Sequence, residues 1–189
     1  MPRHLHYFDC PQRFVAGTVG QPGERTFFLQ AIDQHRVVSV SLEKQQVQVL
    51  AERLEQMMVQ VAERTGIPVP PAAPADTESL SQPIEEEFRV AALGLAWDAD
   101  TGQVIIEAQA PADDAETAEA TLLEDVDEGP DALRVRIGPD QALAFAERAR
   151  LVLAAGRPPC PLCTLPLDPQ GHICPRQNGY RRGASFGTA

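Results

Sequence analysis

Two hydrophobic periods alternate along the chain, and the change from one to the other happens twice. Four short runs rich in aromatic and β-branched residues come first: His4 to Phe8, Phe14 to Val19, Thr26 to Ile32 and Arg36 to Leu42. Runs of this kind predict strands. Gly17, Gly20, Pro22 and Gly23 punctuate them, as do Asp33, Gln34 and His35. The last run alternates cleanly through Val38, Ser39, Val40, Ser41 and Leu42. The period then lengthens from two to 3.6: Val47, Leu50, Leu54, Met57 or Met58, and Val61 form one stripe among Glu, Gln and Arg, which predicts a helix from about Glu43 to Arg64. Gly66 and Pro68 end it.

Residues 67–83 hold Pro68, Pro70, Pro71, Pro74 and Pro83 and read as a linker. The same order of elements then returns. Glu87 to Trp97 and Gln103 to Ala110 predict strands, joined by a turn over Asp98–Gly102. Leu133, Val135 and Ile137 mark one face of a third strand, Ala132 to Ile137. Gly138, Pro139, Asp140 and Gln141 open a helix, with proline at its first position and an acid in its first turn. Ala142, Phe145, Ala146, Ala149, Val152 and Leu153 form its apolar stripe, and Gly156, Pro158 and Pro159 stop it.

The expected architecture is therefore α+β: two successive strands-then-helix blocks sharing one core, with a small C-terminal zinc knuckle. Residues 1–66 form the first block, 67–83 the linker, 84–156 the second block with a mobile acidic loop at 112–130, 157–182 the knuckle and 183–189 a disordered tail. The stretch Val38 to Gln46 matches Leu133 to Gln141 in pattern, an alternating strand running straight into an amphipathic helix. Seven strands and two long helices fit one core, because neither block is large enough to stand confidently alone.

Charge changes this picture in one place. Nine acidic residues and no basic ones lie between Asp113 and Asp131, so most of the net charge of −11 is one local tract. That balance argues against whole-protein attraction to nucleic acid or to an anionic membrane. No segment is apolar for long enough to span a bilayer, and the N-terminus lacks the pattern of a signal peptide. Three of the four cysteines crowd into one cluster, which is not a disulfide framework and fits a reducing cytoplasm.

That cluster carries the strongest chemistry. Cys160 and Cys163 are three apart, and His172 and Cys174 follow within fifteen positions. Three thiolates and an imidazole are a tetrahedral zinc set, and filling all four positions with protein makes such a zinc structural. A redox dithiol is the alternative, but a redox Cys-x-x-Cys opens a helix, which Pro161, Pro166 and Pro169 oppose. Arg157 and Arg176 flank the cluster and would offset its negative charge.

The segments from Phe14 to Gln30, Glu85 to Val90, Val104 to Ala110 and Cys160 to Arg182 resemble a family of uncharacterised actinobacterial proteins of about this length. The resemblance runs from about Tyr7 to Arg182. It implies no activity; it implies a shared pathway with the kinase-like and histidine-phosphatase-like proteins encoded near family members. Cys10 stands where the family has Pro, and Thr164 where Gly commonly follows a metal-binding Cys-x-x-Cys turn. Gly accepts positive φ cheaply there and Thr does not.

Other candidates have plainer readings. Arg13 and Arg25 flank the turn with Gly17, Gly20 and Gly23, where an anionic ligand is sought first, although the spacing is that of a hairpin and not of a phosphate loop. Glu85, Glu86 and Glu87 read as a solvated strand entry. Glu107, between Ile106 and Ala108, reads as a buried carboxylate needing a cation such as Arg89. His4, His6 and His35 read as surface or edge residues, Cys10 as a small buried residue and Trp97 as packing. Arg176, Tyr180, Arg181 and Arg182 offer a small basic surface for nucleic acid. The leading functional reading is a zinc-containing binding or adaptor protein with a protein partner. The alternatives are an enzyme, or accessory subunit, acting on a phosphorylated small molecule, and nucleic-acid binding through the tail.

Overall fold

The computed structural model describes residues 2–34, 36–156, 160–163 and 174. Each alternating run lies in a sheet. The first block gives β1 (Leu5–Asp9), β2 (Arg13–Val19), β3 (Thr26–Asp33), β4 (Arg36–Leu42) and α1 (Lys44–Thr65). The second gives β5 (Glu86–Arg89), β6 (Ala92–Asp98), β7 (Gln103–Gln109), the short α2 (Ala115–Thr121), β8 (Ala132–Ile137) and α3 (Pro139–Ala154). The long run predicted over Glu87 to Trp97 is two strands, because β5 and β6 belong to different sheets.

The blocks exchange their first strands. β2, β3 and β4 form an antiparallel meander, and β6, β7 and β8 form another. β5 adds to the first meander, parallel to β4, while β1 adds to the second, parallel to β8. The sheet orders are thus β2-β3-β4-β5 and β6-β7-β8-β1, one pattern carried out twice. Equivalent backbone bonds close both exchanges: the Val90 N–H donates to the Ser41 carbonyl at 2.8 Å, and the Cys10 N–H to the Arg136 carbonyl at 2.9 Å. Ser41 and Arg136 hold matching places in the Val38–Gln46 and Leu133–Gln141 segments. Through this exchange each block completes the other's sheet.

One core draws on both halves. Leu29, Val40, Val47 and Leu54 of the first block pack with Val104, Ile106, Val135 and Phe145 of the second, together with Phe8 from the exchanged strand. Burying each such side chain contributes about 1.5–3 kcal/mol. The predicted stripes of both helices face this core, with Met58 buried and Met57 partly so. Gly66 closes α1 in the left-handed conformation (φ 69°) and donates its N–H to the Ala62 carbonyl, a conformation that costs glycine little. The helix N-termini also match: Gln46 accepts the Glu43 N–H at 2.8 Å, and Gln141 accepts the Gly138 N–H at 3.2 Å.

The outer face of each sheet is covered too, which the alternation does not reveal. On the first sheet, Leu80 of the Pro-rich segment lies over Gly17 beside Val15, Phe28 and Ile84. Gln30, fully buried, donates to Ser39 and to the Ser81 carbonyl and accepts the Ser81 N–H. The predicted linker is therefore a strap fastened to the sheet. On the second sheet the acidic stretch, predicted to be a mobile loop, carries α2 and seats Leu122 and Leu123 over Gly94. A Cβ at Gly94 would come 2.8 Å from Leu123 Cγ, and one at Gly17 would come 2.5 Å from Leu80 Cδ2. Both glycines exist for close approach.

Candidate metal centre

The described part of the C-terminal segment brings together three of the four predicted ligands. The Sγ atoms of Cys160, Cys163 and Cys174 all lie within 4.8 Å of one another, with Cys160 and Cys174 buried. Cys160 Sγ and Cys174 Sγ are 3.9 Å apart. A disulfide would need about 2.05 Å; two thiolates on one tetrahedral zinc, each at about 2.3 Å, sit about 3.8 Å apart. Burial pushes the Cys160 thiol up, but the backbone N–H groups of Cys163 and Leu162 and the neighbouring thiols of Cys163 and Cys174 outweigh it and hold the thiol below its ordinary value. A thiol favoured as thiolate is the form that binds metal. The predicted fourth ligand, His172, lies outside the described residues, as do Thr164, His35, Arg157, Arg176, Tyr180, Arg181 and Arg182.

The two arginines sought as an anion site stand at opposite ends of the β2–β3 hairpin. Arg13 makes a two-pronged ion pair with Asp76, Nε to Oδ2 at 2.5 Å and Nη2 to Oδ1 at 2.9 Å. Its guanidinium holds the Asp76 carboxyl below the usual range. Arg148 reaches the same carboxylate from α3 at 2.7 Å and also donates to the carbonyls of Ala16, Asp76 and Glu78. Burial lowers the pKa of the Arg148 guanidinium. Arg25 instead donates to the carbonyls of Val152 and Ala155 at the end of α3 and lies over the Phe27 ring. It answers the unpaired carbonyls of a helix C-terminus.

Glu107 is buried and paired, but not with Arg89, which is an exposed partner of Glu43. Its cross-strand neighbour Arg134 donates Nε to Oε2 at 2.6 Å, and Arg3 donates Nη2 to Oε1 at 2.5 Å. The Leu123 N–H adds a third bond at 3.1 Å. Arg134 continues to Asp125 and to the Glu124 carbonyl, and Arg3 to the carbonyls of Thr121 and Glu124. This network fastens the acidic strap.

Glu85, Glu86 and Glu87 are exposed at the start of β5, as expected. β1 is an edge strand, but His6 on it is buried, its pKa lowered first by burial and then by His4, whose ring centroid is 4.1 Å away. Cys10 is exposed, contrary to expectation, because it sits at φ 49° in the link that ends β1. Trp97 packs against the core from β6. Sequence reasoning passed over Asp76 and Arg148. Arg148 gave a signal: it stands between Phe145, Ala146 and Ala149 on the buried stripe.

Among the described residues, no helix is long and apolar enough to cross a membrane. No curated protein and no solved structure matches the chain. Residues 6–174, a span that takes in nearly all of both sheets, both long helices and all three clustered cysteines, match the family described as "Protein of unknown function (DUF3090)", and the chain belongs to that family.

Proposed function

We propose that the protein is a zinc-containing binding or adaptor protein, in which the α+β body carries a C-terminal segment folded around one structural zinc. Cys160, Cys163 and Cys174 supply three ligands and His172 the fourth. The observation that carries this reading is the convergence of three thiols within 4.8 Å from positions fourteen residues apart. A set closed by four protein ligands leaves no coordination position for water or substrate, so the metal holds structure and performs no chemistry. The segment has few apolar residues, among them Leu162, Leu165, Leu167 and Ile173, too few to fold on burial alone. Metal coordination then fixes the shape that a protein partner reads, in a cytoplasmic setting that keeps thiols reduced.

The test is metal analysis of full-length protein purified without chelator. The reading expects about one zinc per chain, lost in Cys160→Ser and Cys174→Ser, with the body retaining cooperative unfolding after chelation. Protein free of zinc, with all three thiols freely alkylated, overturns it.

A further inference from the structure

One break in the near-symmetry of the two halves lies beside a cavity. In the first half, Gln46 at the start of α1 accepts the Glu43 N–H through Oε1 and donates its amide nitrogen to the carbonyls of Val90 and Ala91, in the link from β5 to β6. The matching residue in the second half is Gln141, whose Oε1 accepts the Gly138 N–H. Its matching link, from β1 to β2, runs Cys10, Pro11 and Gln12 and is one residue longer. Pro11 has no N–H, Cys10 sits at φ 49°, and no carbonyl of this link takes the Gln141 amide. Where the first half closes, the second leaves a cavity of about 230 Å³ against Pro11, Gln12, Phe14, Gln141, Phe145 and the Arg13–Asp76–Arg148 cluster.

The lining is rich in donors. Gln12 spends Oε1 on the Gln34 N–H at 3.2 Å, and Gln12 and Gln141, both exposed, each keep a side-chain NH2 open to solvent with no acceptor among the described residues. Arg13 spends Nε and Nη2 on Asp76, Glu78 and Ser79, and its Nη1, with no acceptor among the described residues, is not one of the buried unpaired atoms and remains open to solvent. The charged lining residues are two arginines and one aspartate, and Asp76 is shared between both guanidiniums. The Glu78 carbonyl accepts from both arginines, while its carboxylate acts on them only through space. Asp140, in the first turn of α3, folds over Gly138, where a Cβ would come 2.8 Å from its Oδ1. Phe14 and Phe145 form an apolar wall, their rings stacked at 4.8 Å.

We propose that this cavity binds a small oxyanion, a carboxylate or a phosphate monoester, carried on a planar apolar body. Arg13 Nη1 and the amides of Gln12 and Gln141 would take the anion, and the Phe14–Phe145 wall the body. The volume lies below the usual range of about 300–1,000 Å³ for ligand pockets, which restricts the occupant to a molecule of roughly one ring.

The probes are benzoate, phenyl phosphate and the neutral benzamide, titrated into full-length protein with isotope-labelled side-chain amides. The proposal expects saturable shifts of the Gln12 and Gln141 amide signals with benzoate or phenyl phosphate, at a Kd below about 1 mM, and binding by benzamide weaker by roughly tenfold or more. Which of the two anions binds more tightly identifies the headgroup. Gln141→Glu keeps the acceptor that caps α3 and turns a donor into a like charge, so it should leave the melting temperature unchanged or slightly raised while weakening anion binding by roughly tenfold or more. Absent saturation with both anions, equal binding of benzamide, or unchanged affinity in Gln141→Glu each overturns the proposal. The metal content plays no part in this experiment, so its failure leaves the zinc reading untouched.

Discussion

The outer faces of the two sheets are buried by the same device, but the cross-strand pair beneath each strap has opposite chemistry, although Asp76 also ties the first strap to Arg13 and Arg148. On the first sheet a neutral pair, Gln30 and Ser39, meets in register and ties down the strap through the backbone of Ser81. At the matching level of the second sheet the pair is Glu107 and Arg134, extended by Arg3 and Asp125. A neutral amide costs little to bury once its hydrogen bonds are made. A buried carboxylate tolerates burial only with cations and N–H donors around it. The neutral pair can therefore lose one partner at modest cost; the charged pair cannot lose its centre.

Glu107→Gln tests this most severely. It leaves the Arg3 side chain, which is buried, without its counter-charge and the buried Arg134 with only the exposed Asp125, and should cost about 3–5 kcal/mol, read as a fall in the urea midpoint with an unchanged slope. Gln30→Ala should cost about 1–3 kcal/mol, the desolvation of Ser39 and of the Ser81 N–H. Equal losses in the two variants would mean that charge is not what distinguishes the faces.

The close contacts of the straps give the next effect. Gly94→Ala and Gly17→Ala each force a leucine aside and should cost about 1–3 kcal/mol. Because Leu80 and Leu123 are flexible side chains, shortening the facing leucine to Ala in the same chain should recover part of the glycine penalty, with a coupling of about 0.5–3 kcal/mol. Strict additivity would show that the strap does not press on the glycine.

Acid should separate the fastenings by a smaller margin. The Asp76 carboxyl is held below its ordinary value of 3.8, first by the Arg13 hydrogen bond. A depressed folded value means that its contribution is complete above 3.8 and is lost as pH falls through the lower folded value. The Glu78 N–H, which donates to Asp76 Oδ1 at 2.9 Å, should report that loss in an acid titration, while the Ser81 N–H on the neutral Gln30 stays unmoved until global unfolding. A Glu78 midpoint at or above 3.8 would contradict it.

Periodicity made the strands and the long helices legible, because each presents one apolar face to a shared core. It marked Ser39, Ser41, Arg134 and Arg136 as the opposite face but carried no information on whether that face is wet. Covering depends on Leu80, Leu122 and Leu123, isolated apolar residues in polar segments with no period of their own. Arg89 was a plausible partner for Glu107 only while Glu87 to Trp97 was one strand. The break at Val90 and Ala91 sends Arg89 to the other sheet, and the true partners, Arg3 and Arg134, are set by strand exchange and register. The cysteine cluster was legible for a different reason: metal ligation depends on residue type and short spacing, which survive in the sequence without knowledge of the fold.

The most direct measurement of the central claim is X-ray absorption at the zinc edge on full-length protein as purified. The account predicts one zinc with three sulfur neighbours at about 2.3 Å and one nitrogen at about 2.0–2.1 Å, with the nitrogen lost in His172→Ala. A site rich in oxygen ligands, or no zinc with Cys160, Cys163 and Cys174 present as free thiols, would contradict it.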